Sequence, residues 1–443
     1  MRTYKTKVAE AVELVDRPTR ERLLEDAGYN VFNLDSDDVF IDLLTDSGTG
    51  SMSPDQWAAL AMGDEAYAGC RGFDALQGAV EEVMGLERVV PVHQGRGGEH
   101  LLYGALLEPG DVVLNNTHFD TTRAHVVARG AVAIDCPAVP LGELDADRSF
   151  KGDFSVRDAR AHIDRVGADQ IGCIILTITN NSAAGQPVSL DNIDEVAELA
   201  EEVDVPLVID ACRFAENAYF NASERDLSVA EVARKQFDRA DAVLMSGKKD
   251  GLVNIGGFVA VRDDELYETL KQRCILYEGF PTYGGMAGRD LQAMAVGLTE
   301  AVDPSYLAYR IEQVTELVDR LADIGVSVIR PAGGHAAFVD AGALYEHIPS
   351  EAFPGQVLVC ALYREGGIRA VELGSLAFPE TDRPELVRLA MPRRMYHREH
   401  LDHIVDTFER VLKVVDDEVG FDIVEAPGQP ELRHFSAQLR PRD

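Results

Sequence analysis

The chain has 443 residues, 46% of them apolar, so it can bury a large core and divide into two or three domains. Its formal net charge of −34, from 76 acidic and 42 basic residues, excludes nucleic acid as a partner, because a polyanion would be repelled. No apolar run is long enough to span a bilayer, and no membrane partner is expected.

The start, Met1-Arg2-Thr3-Tyr4-Lys5, leads into a charged, helix-like segment and not an apolar leader. The six cysteines lie far apart and form no CxxC pair, so neither a zinc site nor a disulfide framework is expected. A reduced, cytoplasmic setting follows. Acidic residues are dispersed, and only eight of the basic residues are Lys. Such a surface suits concentrated salt, where self-repulsion is screened.

Residues 1–44 read as a segment that packs with a smaller C-terminal domain. A large domain follows over 45–304. In it Val89-Val90-Pro91 precedes His93-Gln94-Gly95-Arg96-Gly97-Gly98, which opens a helix over 98–106. Glycines at a helix start let the backbone close around a phosphate, and the free N–H groups favour the anion. Short apolar runs over 111–115, 132–136, 172–179, 206–210, 242–245 and 257–261 alternate with helical patterns such as 190–203. That alternation predicts an α/β domain with a mostly parallel sheet covered on both faces. Ligands in such sheets sit at the strand ends.

The candidate residues fall at those ends. Phe119 follows the run 111–115, where an aromatic can stack on a cofactor ring. Asn181 follows 172–179 and could face the cofactor's phenolic oxygen or a substrate carboxylate. Asp210 ends 206–210, and Arg213 comes three residues later. Ser246-Gly247-Lys248-Lys249-Asp250 follows 242–245. A strand-end lysine with Ser three residues before it fits one that holds pyridoxal phosphate (PLP) covalently. Lys248 is its cationic neighbour or a phosphate ligand. Asp210 would face the pyridine nitrogen and keep it protonated, and Arg213 would reach the phenolic oxygen.

A break comes at Asp303-Pro304-Ser305, and a smaller α+β domain over 305–443 follows. It opens with a helix over 306–324 that puts Ile311, Val314, Val318 and Leu321 on one face and stops at Gly325. Strands are expected over 326–330, 335–339, 368–372 and 386–391, and helices over 355–365 and 400–415. Arg393, after Leu389-Ala390-Met391-Pro392, is a candidate bidentate clamp for an amino-acid carboxylate.

With these residues placed, the chain resembles the β-eliminating lyases, the family of tryptophanase and tyrosine phenol-lyase. The similarity runs from about Gly28-Tyr29-Asn30 to Arg433-His434-Phe435. It is carried by Thr45-Asp46-Ser47-Gly48-Thr49, Gly63-Asp64-Glu65-Ala66-Tyr67-Ala68-Gly69 and His93-Gln94-Gly95-Arg96-Gly97. Gly185-Gln186-Pro187-Val188-Ser189, Glu216-Asn217-Ala218-Tyr219-Phe220 and Ser246-Gly247-Lys248-Lys249-Asp250 extend it. The resemblance implies the PLP-dependent transferase fold type I, as in aspartate aminotransferase, a homotetramer of two close dimers, and a monovalent cation, usually potassium.

It also implies roles. Lys249 would hold the cofactor and remove the Cα proton. Gln94, Gly95, Arg96, Ser246 and Lys248 would hold the phosphate. Thr45, Asn181 and Arg393 would hold the substrate carboxylate. Tyr67 would reach into a neighbouring subunit's site, and Gly48, Glu65 and Asn254 would ligate K+ through oxygen. At the side-chain pocket, Phe119-Asp120-Thr121-Thr122, the apolar Leu373 and the tail His434 resemble tryptophanases. Tyrosine phenol-lyases carry Thr, Arg and Phe at the positions of Asp120, Leu373 and His434. The implied reaction is cleavage of L-tryptophan to indole, pyruvate and ammonia, with Tyr67, Asp120 and His434 near the leaving group. A lyase acting on tyrosine or another β-substituted amino acid, and a non-catalytic PLP-binding assembly protein, are the alternatives. His118 departs from the pattern, since tryptophanases commonly have an aromatic there, and the chain is somewhat short.

Overall fold

The computed structural model describes residues 10–144, 148–379, 383–428 and 430–442. The expectation for the first residues therefore lies outside the described part. The chain forms two compact units. One holds Ser47–Pro140 and Arg148–Ile311; the other holds residues 10–46, 141–144 and those from Glu312 on.

The first unit is built on seven strands. They are β1 (Arg88–Val92), β2 (Val112–Asn115), β3 (Val132–Asp135), β4 (Ile171–Thr177), β5 (Leu207–Asp210), β6 (Ala242–Ser246) and β7 (Gly257–Val261). Their order across the sheet is β1-β7-β6-β5-β4-β2-β3. Only β7 runs against its neighbours; the remaining pairings are parallel. The apolar runs are continuous because both faces are covered. Leu76, Val80 and Met84 of the helix Arg71–Met84 and Leu291 and Met294 of Gly288–Ala301 belong to one core. Leu101, Leu102 and Tyr103 pack with Val90, Val113, Ile175 and Val208 in another.

Two features of this unit differ from expectation. The run containing Pro91 is a strand, β1. Proline lacks the N–H a ladder needs, so a central position would exclude it, but β1 is the sheet edge, where it is tolerated. The glycine-rich helix begins at Gly95 and not at 98, which puts Arg96 in its first turn.

The second unit holds an antiparallel sheet of β8 (Ala336–Asp340), β9 (Val371–Glu372) and β10 (Leu386–Ala390), ordered β9-β10-β8. Ile41–Asp42 pairs in parallel with Ile368–Arg369, so the expected strand over 368–372 is split between two sheets. The stretch 326–330 forms only the bridge Val328 to Val339. A hairpin of Phe421–Glu425 with Gln438–Pro441, not expected from the sequence, brings the C-terminal strand back to the unit. The helix Pro304–Asp323 starts at the expected break, since proline is at home in a first turn.

The six cysteines are free thiols, five of them buried. Burial pushes the thiols of Cys136, Cys173 and Cys360 up to about 12 and that of Cys274 to about 11. Among the described residues no helix is long and apolar enough to cross a membrane.

Candidate active site

The carboxyl ends of β1, β2, β4, β5 and β6 lie along one edge of the large sheet, and each delivers candidate residues there. Beyond β1, Gln94 is the N-cap of α1 (Gly95–Leu106) and makes no side-chain capping bond. The first amides of such a helix have no intrahelical partner and point outward. Gly95 packs so closely on β6 that a Cβ there would lie 2.9 Å from the Cβ of Ser246. The register Val92–Gly257–Ser246 produces that approach. An N-terminal helix turn, a serine beside it and Lys248 just beyond make a cradle that fits a phosphate.

The lysine turn closes tightly. Lys249 N–H donates to the Ser246 carbonyl at 3.2 Å, Leu252 N–H to Lys249 at 2.9 Å, and Gly247 N–H to Gly256 at 2.9 Å. Lys248 and Lys249 are half-buried. Cys212 Sγ accepts from Ser246 N–H at 3.4 Å. Burial, then the Asp210 charge, raises the Cys212 thiol well above its usual range, while the Lys249 ammonium opposes this. Asp210, Cys212 and Lys249 are therefore near neighbours. Asp210 Oδ1 accepts from Cys212 N–H at 3.2 Å. Asp250 Oδ2 accepts from the amides of Ala215 at 2.8 Å and Glu216 at 3.4 Å. It thus caps α3 (Phe214–Ser223), whose N-cap is the buried Arg213.

Phe119 is half-buried and is the N-cap of α2 (Asp120–Ala128). Asp120 opens that helix, and its Oδ1 accepts from Thr121 N–H at 2.5 Å. Two residues on, Thr122 donates from Oγ1 to Glu99 Oε1 at 2.5 Å. Glu99 is buried, and burial raises its carboxyl to about 7, with the charges of Asp210 and Asp120 adding to the effect. His118 is buried, with Nδ1 2.7 Å from Asp135 Oδ1. Burial favours the neutral form of Asp135, but His118 and Arg123 outweigh it and hold the carboxyl down at about 2. Asn181 is buried on the short turn Asn181–Ala183 beyond β4.

Tyr67 is 68% exposed, and its ring lies tilted against two others, its centroid 5.4 Å from Phe280 and 5.2 Å from Tyr283. Gly48 and Asn254 are close neighbours: Asn254 Oδ1 accepts from Thr49 N–H at 2.9 Å, and Gly48 takes a φ of +93°, open to glycine. Glu65 is exposed, and its charge contributes to raising the pKa of Asp290, behind the effect of burial.

The second unit holds the remaining candidates. Arg393 is fully buried and donates from Nη1 to Asp46 O and Asp46 Oδ2, each at 3.0 Å. Leu44 and Thr45 precede this anchor. Arg388 of β10 donates to Leu44 O at 3.1 Å, and Thr45 is exposed. Leu373 is half-buried just after β9, and its N–H donates to Leu386 O at 2.8 Å. His434 is buried with its ring 3.8 Å from that of Phe435 and edge-on to Phe32 at 5.9 Å.

Three supporting residues were not singled out from the sequence: Asp46, Asp250 and Glu99. The first two lie inside quoted motifs, next to residues that were chosen. Glu99 sits one turn into α1, where an acid reads as ordinary first-turn polarity.

The Beta-eliminating lyase family matches residues 42–407 of the chain. The chain belongs to this family. A β-eliminating lyase of Halobacterium salinarum named "Probable tryptophanase" is 57% identical, covering 100% of both chains. "Tryptophanase" of Salinibacter ruber is 47% identical over 99% of this chain and 95% of its own. "Tyrosine phenol-lyase" of Pasteurella multocida is 45% identical over 99% and 98%. Among solved structures, serine palmitoyltransferase of Sphingomonas wittichii superposes with a TM-score of 0.61 at 15% identity, covering 90% of this chain and 97% of that one. The fold is fold type I of the PLP-dependent enzymes. Membership implies a PLP-dependent lyase acting on an amino acid, and the cradle, lysine turn and Asp210 fit that cofactor.

Proposed function

We propose that this β-eliminating lyase is a tryptophanase, releasing indole, pyruvate and ammonia from L-tryptophan. The observation that carries the reading is Asp120, a carboxylate at the first position of α2 directly after the half-buried Phe119. An indole ring needs an acceptor for its N–H and an apolar wall, and Asp120 and Leu373 are of those kinds. A phenol leaving group would call for a cationic or hydroxyl donor instead. The names of the Halobacterium and Salinibacter relatives support the same choice.

PLP, when bound, supplies an electron sink for the pair left at Cα. The chain's residues do the rest. Gln94, Gly95, Arg96, Ser246 and Lys248 would hold the phosphate, and Phe119 would stack on the ring. Asp210 would keep the ring nitrogen protonated, and Arg213 would face the phenolic oxygen. Thr45, Asn181 and Arg393 bind the substrate carboxylate and orient the Cα–H bond. Lys249 would hold the cofactor through its amine and would be the base that takes the Cα proton. Tyr67, Asp120 and His434 serve the leaving group, where a proton must reach C3 of indole before the Cβ–C3 bond breaks.

The reading extends to assembly, cation and compartment. Trp57, Met62, Tyr67 and Leu276 are all more than half exposed on the first unit, which supports a homotetramer that covers them. Gly48, Glu65 and Asn254 serve K+, a hard cation suited to oxygen ligands. The charge of −34 suits a cytoplasm rich in salt.

Incubating the PLP-loaded protein with tryptophan, tyrosine, cysteine or serine tests the function. Tryptophan should give indole and pyruvate in equal amounts, and pyruvate should form faster from it than from the other three. Faster phenol release from tyrosine would replace this reading with the phenol-lyase one. No turnover of any amino acid by the loaded protein would support a non-catalytic role.

A further inference from the structure

The turn that follows β9 has its polar backbone groups taken up from two sides. Glu372 Oε1 accepts from the amides of Gly374 at 2.7 Å and Leu376 at 3.1 Å, and its Oε2 from Ala377 at 2.9 Å. Glu385 accepts from the Ser375 amide at 3.3 Å. Both carboxylates crowd the face of Gly374, where a Cβ would collide with each of them. On the other side Arg433 donates from Nε to Leu376 O at 2.9 Å and from Nη2 to Ser375 O. Its guanidinium also lies over the Phe353 ring, 5.6 Å from the centroid. Amides go to carboxyl oxygens and carbonyls to a guanidinium, so the turn is held by three ionisable side chains. The tail is held in turn by Asn30, whose Nδ2 donates to His434 O at 3.2 Å and Ala437 O at 2.9 Å.

Leu373 begins this turn, and His434 follows Arg433 in the chain. We propose that Arg433, with Glu372 bracing the turn from the other side, is a positioning residue for the substrate's aromatic side chain. It ties the Leu373 turn and the His434 tail into one wall, so that neither shifts without the other. The role rests on the reading above that Leu373 and His434 border the substrate ring. Burial, with the Glu385 charge second, raises Glu372 to about 8, and burial raises Glu385 as well.

The test uses Arg433→Met and Arg433→Lys on the full chain. Hydrogen exchange of the protein without substrate is the first readout. Both variants should speed exchange in residues 373–378 and 432–436 together, because lysine cannot bridge two successive carbonyls with a planar fork. Faster exchange in 432–436 alone would overturn the proposal. The second readout is the split between substrates. The kcat/KM for tryptophan should fall about tenfold or more, mainly through KM, while turnover of S-methylcysteine, which has no ring to position, stays within about threefold. Equal losses would make the role merely structural and overturn it. Gly374→Ala leaves Arg433 intact and pushes the turn off the carboxylates; it should lower tryptophan turnover by a similar factor, and unchanged turnover would overturn the claim for the turn. If the wild-type protein released no indole from tryptophan, the functional reading would fail while the coupled exchange would still be seen.

Discussion

Arg393 and Asp46 form a buried pair in which one guanidinium nitrogen serves both the carbonyl and the carboxylate of the aspartate, each at 3.0 Å. The arginine is 0% and the aspartate 1% exposed, so water cannot replace either partner. Removing one member of such a pair leaves an uncompensated buried charge. Asp46→Ala should therefore destabilise the protein by about 3–5 kcal/mol. Asp46→Asn, which keeps an acceptor and the shape, should cost less. Denaturant unfolding of the two variants checks the order. In the Asn variant that still folds, KM for the amino acid should rise, since the proposed carboxylate clamp has lost its fixed orientation.

Lys249→Ala should fold like wild type but form no covalent link to the cofactor, because Lys249 is the half-buried amine whose charge acts on Cys212 beside Asp210. Borohydride reduction of the loaded wild type followed by peptide mapping should find the pyridoxyl group on Lys249. A label on Lys248 or elsewhere would refute the assignment.

Glu99 predicts a pH effect on stability. Burial raises its carboxyl from 4.5 to about 7 in the folded chain. Between those values the folded state keeps a proton that the unfolded chain has released. Stability from this group is thus full below about pH 4.5, falls as pH rises toward 7, and is flat above. At about 1.4 kcal/mol per pKa unit, the loss is about 3 kcal/mol. Glu99→Gln keeps an acceptor for Thr122 and has nothing to ionise. Denaturation midpoints at pH 5 and pH 8 should differ less in the Gln variant, with the variant the more stable of the two proteins at pH 8.

The acidic surface and the proposed cation site predict separate salt effects. Lowering total salt from molar to dilute should lower the thermal midpoint, because 76 acidic residues then repel without screening. At constant ionic strength, replacing K+ by Na+ should leave that midpoint unchanged but lower turnover. Equal turnover in both salts would remove the cation role of Gly48, Glu65 and Asn254.

Much of the first unit is readable in the sequence, because a sheet covered on both faces writes continuous apolar runs. The strand ends then point to Asp210, Ser246 and Lys249 directly. β1 is less visible, since Pro91 reads as a breaker until its edge position is known. The hairpin Phe421–Glu425 with Gln438–Pro441 is hidden for another reason: its strands are half polar, and the turn signal Pro427-Gly428 opens a connecting stretch too long to read as a hairpin loop. Supporting residues are hidden by their chemistry. Asp250 is an ordinary acid until its oxygen is seen on the amides of Ala215 and Glu216. Leu373 and His434 are sixty residues apart, roughly, and no local pattern could show that Arg433 reaches back to the carbonyls of Ser375 and Leu376.

The thiols have a practical consequence. All six cysteines have pKa values raised mainly by burial, so the reactive thiolate is scarce at neutral pH in every case. A maleimide dye added to the folded protein should find almost nothing to modify. One cysteine introduced at an exposed site, such as Val424, would then be the sole handle for attaching a fluorophore or a surface tether. The native cysteines need not be replaced first, and a distance between labelled copies could be measured on the otherwise unaltered enzyme.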